Sequence, residues 1–175
     1  QGVAPEFSDV PIDAYYFNAV KWAVEKGITS GMGDGTTFSP NATCTKAQIL
    51  TFLWRANGSP EPTAANPFAD IKPADYFYKA ALWAAEKGLL SGSTFGANTD
   101  CTRAMTVEYL WKAAGSPAPS ANANFTDVPA NADYAQAVAW AVENEITSGT
   151  GGGNFSPAAT CTRGQIVTFL HRAMG

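Results

Sequence analysis

The stretch ATCTKAQILTFLWRANG, residues 42–58, returns as TDCTRAMTVEYLWKAAG at 99–115 and as ATCTRGQIVTFLHRAMG at 159–175. Each copy sets a Cys and a Thr ahead of a basic residue and then runs into apolar residues at helical spacing. Ile49, Phe52, Leu53 and Ala56 form an i, i+3, i+4, i+7 stripe, matched by Ile166, Phe169, Leu170 and Ala173. Thr45-Lys46-Ala47-Gln48 and Thr162-Arg163-Gly164-Gln165 satisfy the capping-box pattern. In that pattern the Thr hydroxyl accepts from the N–H three residues on, and the Gln side chain reaches back to the Thr N–H. Met105 stands where the second copy would need the Gln, so half of that box is missing.

Working outward, the rest of the chain repeats with the same period. Phe7, Phe68 and Phe125 open the boxes FSDV, FADI and FTDV, and a Trp follows each Phe by 15 residues, at Trp22, Trp83 and Trp140. A basic residue follows each Cys by 11 residues, at Arg55, Lys112 and Arg172. Each unit reads as two helices. The first lies near 14–26, 75–87 and 133–144, with Tyr16, Ala19, Val20 and Ala23 on one face of the first copy. Gly27 and Gly88 suit left-handed C-terminal caps, whereas Glu145 at the third position predicts a different ending. The joining loops, TSGMGDGTTFSPNAT (29–43), LSGSTFGANTD (90–100) and TSGTGGGNFSPAAT (147–160), carry turn residues rather than strand signals. GSPEPTAANP (58–67) and GSPAPSANAN (115–124) read as extended connectors between units. One such unit buries too little surface to stand comfortably alone. Three sharing a core predict one mainly helical globule with approximate threefold internal symmetry. The expected boundaries are 1–58, 68–115 and 125–175 for the repeats, with linkers at 59–67 and 116–124.

Composition narrows the function classes. Among 175 residues 46 % are hydrophobic and 12 % aromatic, enough for a packed interior. A net charge of −4 argues against a protein that coats nucleic acid. No apolar run approaches bilayer-spanning length, which predicts no membrane insertion. The opening QGVAPEF lacks the basic and apolar regions of a secretion signal, as expected of a mature or excised piece of something larger. Three cysteines, an odd number without a CxxC pair, exclude a closed set of internal disulfides.

Capping accounts for the Thr and Gln of the repeated core, but not for the cation. Lys46, Arg103 and Arg163 sit at the first helical position, where the helix dipole disfavours positive charge. Two explanations stand. An anion docked at the helix end would meet free N–H groups and the side-chain charge together. Alternatively, the charge is solvated or paired with a neighbouring Asp. The cysteine before the cap reads as a small buried hydrophobe, with an intermolecular disulfide as a lesser reading. A metal cluster on three thiols lacks the fourth ligand that zinc wants. The lone histidine, His171, aligns with Trp54 and Trp111 and fills an aromatic slot. No Ser/His/Asp set can be built around it, and no cofactor motif is present. The recurring Asp9, Asp70 and Asp127 point to repeated structure or repeated binding rather than to one asymmetric active site.

The F-x-D-V box, the AVKWAVEKGITSG helix end, the G-D-G loop closing on FSPN and the Thr-basic-small-polar helix start together resemble the S-layer homology (SLH) domain family, in three tandem copies over nearly the whole chain. The resemblance implies a three-pronged, pseudo-threefold helical spindle with a shared central bundle. It implies a non-catalytic module at one end of an exported protein, extracellular at the cell wall or S-layer, holding its cargo to a secondary cell-wall polysaccharide. The glycan often carries a pyruvylated amino sugar, and it binds in grooves between repeats. Such a module is a monomeric pseudo-trimer attached to a larger surface protein, with neither nucleic acid nor cofactor. Carried over by position, the contact to negative charge falls on Arg103 and Arg163, with Lys46 as a substitute, and the remaining ligand-binding positions are Asp9, Asp70, Asp127, Gly31, Gly92 and Gly149. Tyr16 and Tyr76 are candidates to stack on sugar rings. Departures are Lys46, which lacks the two-pronged carboxylate contact of Arg, and the second repeat, with its shortened loop and Met105. The alternative reading is a protein–protein or self-assembly module without glycan binding.

Overall fold

A computed structural model describes residues 7–175; Gln1–Glu6, where the first repeat is expected to begin, lie outside it. Among the described residues six helices follow one another: α1 (Phe17–Glu25), α2 (Lys46–Ala56), α3 (Tyr78–Glu86), α4 (Arg103–Ala113), α5 (Ala135–Glu143) and α6 (Arg163–Met174). The described residues contain isolated β-bridges but no strand. The second helix of each repeat forms the centre, with α2, α4 and α6 touching one another pairwise. Each first helix packs on a neighbouring repeat: α1 on α6, α3 on α2 and α5 on α4. No repeat therefore buries its own first helix against its own second, which is why one unit would not hold together alone.

The local signals explain the central helices. Thr45 Oγ1 accepts from Gln48 N at 3.3 Å while Gln48 Oε1 accepts from Thr45 N at 3.1 Å. Thr162 and Gln165 repeat the reciprocal pair at 3.2 and 2.9 Å. Thr102 keeps only the hydroxyl half, accepting from Met105 N. Ile49, Leu53 and Ile166 are fully enclosed, each worth about 2 kcal/mol of burial. Replacing Thr162 by alanine is expected to lower stability by about 1 kcal/mol. Urea unfolding reads this directly, and an unchanged midpoint would remove the cap from the account.

The outer helices begin about three residues later than their spacing predicts. Tyr16, Phe77 and Tyr134 occupy the cap position without a side-chain hydrogen bond, and the preceding residues form turns, as in Ala14 N–H to Pro11 O and Phe17 N–H to Ala14 O. At the other end, Gly27 is left-handed (φ 72°), with Ile28 N–H bonded to Ala23 O and Gly27 N–H to Val24 O. The third repeat was expected to end differently and does not. Glu145 adopts φ 58° and closes the same pair of bonds, from Ile146 N–H to Ala141 O and from Glu145 N–H to Val142 O. Two carbonyls needing partners outweigh the steric penalty of one side chain in that region.

The cysteines sit where the three repeats meet. Cys44 N–H donates to Cys161 O, Cys161 N–H to Cys101 O and Cys101 N–H to Cys44 O, a closed ring of bonds at 2.8–2.9 Å. All three side chains are free thiols without exposed surface, so none reaches a second chain. The Thr106 hydroxyl lies between two of them, 3.2 Å from Cys101 Sγ and 3.6 Å from Cys161 Sγ. Burial pushes all three thiols up, Cys101 to about 12. The connectors are also held in place. Trp54 and Trp111 each donate Nε1–H to a connector carbonyl, of Pro60 and Pro117. Glu86 and Glu143 then accept from Thr63 and Ser120.

Candidate inter-repeat binding grooves

The helix ends do not present free N–H groups to an anion. Lys46 N–H donates to Thr99 O, Arg103 N–H to Ala159 O and Arg163 N–H to Ala42 O; the next N–H groups go to Ala97 O, Pro157 O and Pro40 O. A loop from another repeat lies over every central-helix N-terminus and supplies the acceptors. With the third N–H held by the cap Thr, an anion has no place there.

The cations behave otherwise. Arg163 is 3 % exposed and Arg103 7 %, and neither forms an ion pair among the described residues. The Arg163 guanidinium lies 4.6 Å from the Phe38 ring and 5.2 Å from that of Phe52, with Nε–H bonded to Phe38 O at 2.9 Å. Arg103 repeats this with Phe155 at 4.8 Å, Phe169 at 5.5 Å and Nε–H to Phe155 O at 2.8 Å. Burial pulls both guanidinium pKa values down, opposed in part by the carboxylate of Asp9 for Arg163 and of Asp127 for Arg103. Neither expected alternative for these side chains, a solvated charge or a pair with Asp, describes them.

Each arginine opens into a groove. One, of about 290 Å³, runs from Arg163 past the Thr29–Met32 loop and along α2, where it meets Gln48, Thr51, Phe52 and Arg55. Tyr76, from the second repeat, stands at its rim. The other, of about 220 Å³, has Arg103, the Thr147–Gly149 loop, then Gln165, Thr168, Phe169 and Arg172 on α6, with Tyr15 at its rim. The two match position by position, and each takes side chains from all three repeats. Arg55 and Arg172 are tethered through Nη1–H to Ile28 O and Ile146 O. Thr29 and Thr147 accept from Gly31 N–H and Gly149 N–H, and Arg103 Nη2 donates to Thr147 Oγ1 at 3.3 Å. The result is a pair of clefts holding two cations each, hydroxyl and amide groups on one wall and an exposed tyrosine ring on the other.

The expected site residues distribute unevenly over this geometry. Arg103, Arg163, Gly31, Gly149 and Tyr76 line the grooves. Asp9 and Asp127 line neither. The carboxylate of Asp9 accepts from Phe38 N–H and Ser39 N–H, that of Asp127 from Phe155 N–H and Ser156 N–H, and that of Asp70 from Phe95 N–H and Gly96 N–H. Those backbone bonds hold the Asp70 and Asp127 carboxyls below the ordinary carboxylate range. These aspartates pin the loop whose Phe stacks on the basic side chain. Tyr16 packs inward near Gly164, and the rim residue of the first repeat is Tyr15, 63 % exposed. Counting back seven residues from each Trp identifies it, since Tyr15, Tyr76 and Asp133 share that place. The sequence also announced Arg55 and Arg172 by their fixed distance from the cysteines, but not which way they face.

Lys46 and Gly92 belong to a third place that differs. Lys46 is half-buried with Nζ 5.4 Å from the Phe95 ring, and Gly92 lies in the shortened loop. There Leu90, Met105, Glu108, Tyr109 and Lys112 occupy the positions of Thr29, Gln48, Thr51, Phe52 and Arg55.

Comparison with known proteins agrees with this three-part construction. The S-layer homology domain profile matches residues 6–50, 67–104 and 124–167. The chain is 24 % identical over 173 residues to an amylopullulanase of Thermoanaerobacterium thermosulfurigenes. That match takes in 94 % of this chain and 9 % of the enzyme, so the chain spans a small part of that relative's length. This chain belongs to the S-layer homology domain family, whose members are binding modules that anchor surface proteins to the cell wall.

Proposed function

We propose that the chain anchors a larger exported protein to the wall by binding an anionic secondary cell-wall polysaccharide in the Arg103 and Arg163 grooves, a pyruvyl ketal being the anionic group that fits best. The carrying observation is a pair of buried guanidinium groups with aromatic rings on two sides and no carboxylate partner among the described residues. A buried cation without a counter-ion is costly, and a ligand carboxylate supplies one. The second arginine of each groove, Arg55 or Arg172, adds charge, while Tyr76 and Tyr15 offer flat exposed faces to a sugar ring. The module acts as an extracellular monomer at the wall, without catalysis, nucleic acid or membrane insertion; no helix among the described residues is long and apolar enough to cross a bilayer.

Co-sedimentation with wall sacculi tests this before and after acid extraction of the secondary polymer. Binding is expected to disappear on extraction; binding that persists would move the ligand to peptidoglycan. Tyr15→Ala with Tyr76→Ala should weaken binding about tenfold at unchanged melting temperature, because both rings are exposed. For the cation, Arg163→Lys is the better variant. Alanine at a site enclosed by Phe38 and Phe52 would also disturb packing, whereas lysine keeps the stem and charge but loses the fork.

A further inference from the structure

We infer that the third inter-repeat position, between α4 and the segment leading into α5, is closed to the anion that the other two grooves accept, with Glu108 and Asp133 as the residues that close it. The inference rests on the anion-binding reading of the Arg103 and Arg163 grooves and specifies which of the three positions act.

The charge comparison carries it. Among the described residues each of the two grooves places two arginines and no carboxylate along its walls. At the third position the cations are Lys46 and Lys112, and two acids have been added: Glu108 where the grooves have Thr51 and Thr168, and Asp133 where they have the rim tyrosines. The local sum falls from two positive charges to zero. Glu108 lies 3.8 Å from Lys112, so the helix-end cation that faces the ligand elsewhere is engaged here within the chain. Burial raises the Glu108 carboxyl, Lys112 opposes that rise and Asp133 adds to it. By repeat correspondence the two acids take the places that a threonine of the central helix and the rim tyrosine hold in each groove. An incoming carboxylate would meet both at once, and like charges at close range are an effective device for exclusion. The remaining changes run the same way. Met105 removes the amide of Gln48 and Gln165, Leu90 removes the hydroxyl of Thr29 and Thr147, and Lys46 replaces a planar fork by a single ammonium group packed on Phe95.

Isothermal titration calorimetry of the whole chain with the methyl glycoside of a 4,6-pyruvyl-ketal N-acetylhexosamine tests this. Two ligands per chain are expected, falling to one in Arg103→Lys and to one in Arg163→Lys. The double variant Glu108→Thr/Asp133→Tyr is expected to take up a third. Three sites in the unaltered chain would overturn the closure and leave the groove reading intact, and a single site would contradict the equivalence of the two grooves. Heat of binding absent altogether would overturn the groove reading and, with it, this inference. A double variant that melts like the parent and still binds two would remove the two carboxylates as the cause.

Discussion

Gly149→Ala is expected to destabilise the protein by about 3 kcal/mol. Gly149 has φ 94°, and a Cβ there would lie 2.6 Å from Phe125 Cε1 and 2.6 Å from Asn154 O. Neither neighbour is the loose end of a flexible side chain: one is a ring, the other backbone. Alanine therefore meets the left-handed penalty and a collision together, and the loop carrying Thr147 must move. Gly31 faces the same obstruction, from Phe7 Cε1 at 2.6 Å and Thr37 O at 2.7 Å. Gly92 supplies the control. Its φ is 107°, but no atom lies within 4 Å of the added methyl, so Gly92→Ala should cost only about 1 kcal/mol. Chemical unfolding of the three variants measures the difference; equal losses at Gly149 and Gly92 would show that crowding plays no part.

Phe155→Ala should have a larger effect, about 4 kcal/mol, since the ring has no exposed surface and its removal leaves a cavity. Phe155 also ties the Arg103 groove to the aspartate behind it. Its N–H donates to Asp127, its carbonyl accepts from Arg103 Nε, and its ring lies 4.8 Å from the guanidinium. Phe155→Leu separates packing from positioning. It keeps both backbone bonds and most of the volume, so stability should fall by only about 1 kcal/mol. The face on which Arg103 rests is lost, and ligand uptake at that groove should fall while the Arg163 groove is untouched. Calorimetric stoichiometry together with a thermal melt reads both quantities from the same sample. Full uptake at both grooves in Phe155→Leu would make the ring a packing element alone.

The helices and their repeat were legible because their causes are local. The capping boxes at Thr45 and Thr162, the stripe of Ile49, Phe52 and Leu53 and the left-handed Gly27 all depend on residues within one or two turns of one another. Glu145 shows the limit of even that reading: it takes the glycine conformation because the carbonyls of Ala141 and Val142 need partners, a demand that residue identity does not reveal. The groove was legible only in outline. Arg103 and Arg163 stood out by running against the helix dipole, and both line a candidate groove, though they are buried against aromatic rings rather than set at a free helix end. The aspartates were conspicuous by recurrence, yet their partners lie 25 to 30 residues away and are backbone N–H groups, which leave no trace in side-chain pattern. Tyr16 and Tyr15 are adjacent, and only the turn before α1 decides which of them faces outward.

The amino-acid sequence by itself determined that this chain has three copies of a two-helix unit, where each central helix starts, and which family it belongs to. Those features arise from periodicity and capping, interactions that close over a few residues. The tertiary structure alone decided that the first helix of every unit packs on a different unit, that neighbouring loops cover the helix ends, and that two arginines stay buried without an ion pair among the described residues. Such arrangements bring together residues from all three repeats. Their energies depend on what the folded chain places opposite each group, which no single stretch of sequence specifies.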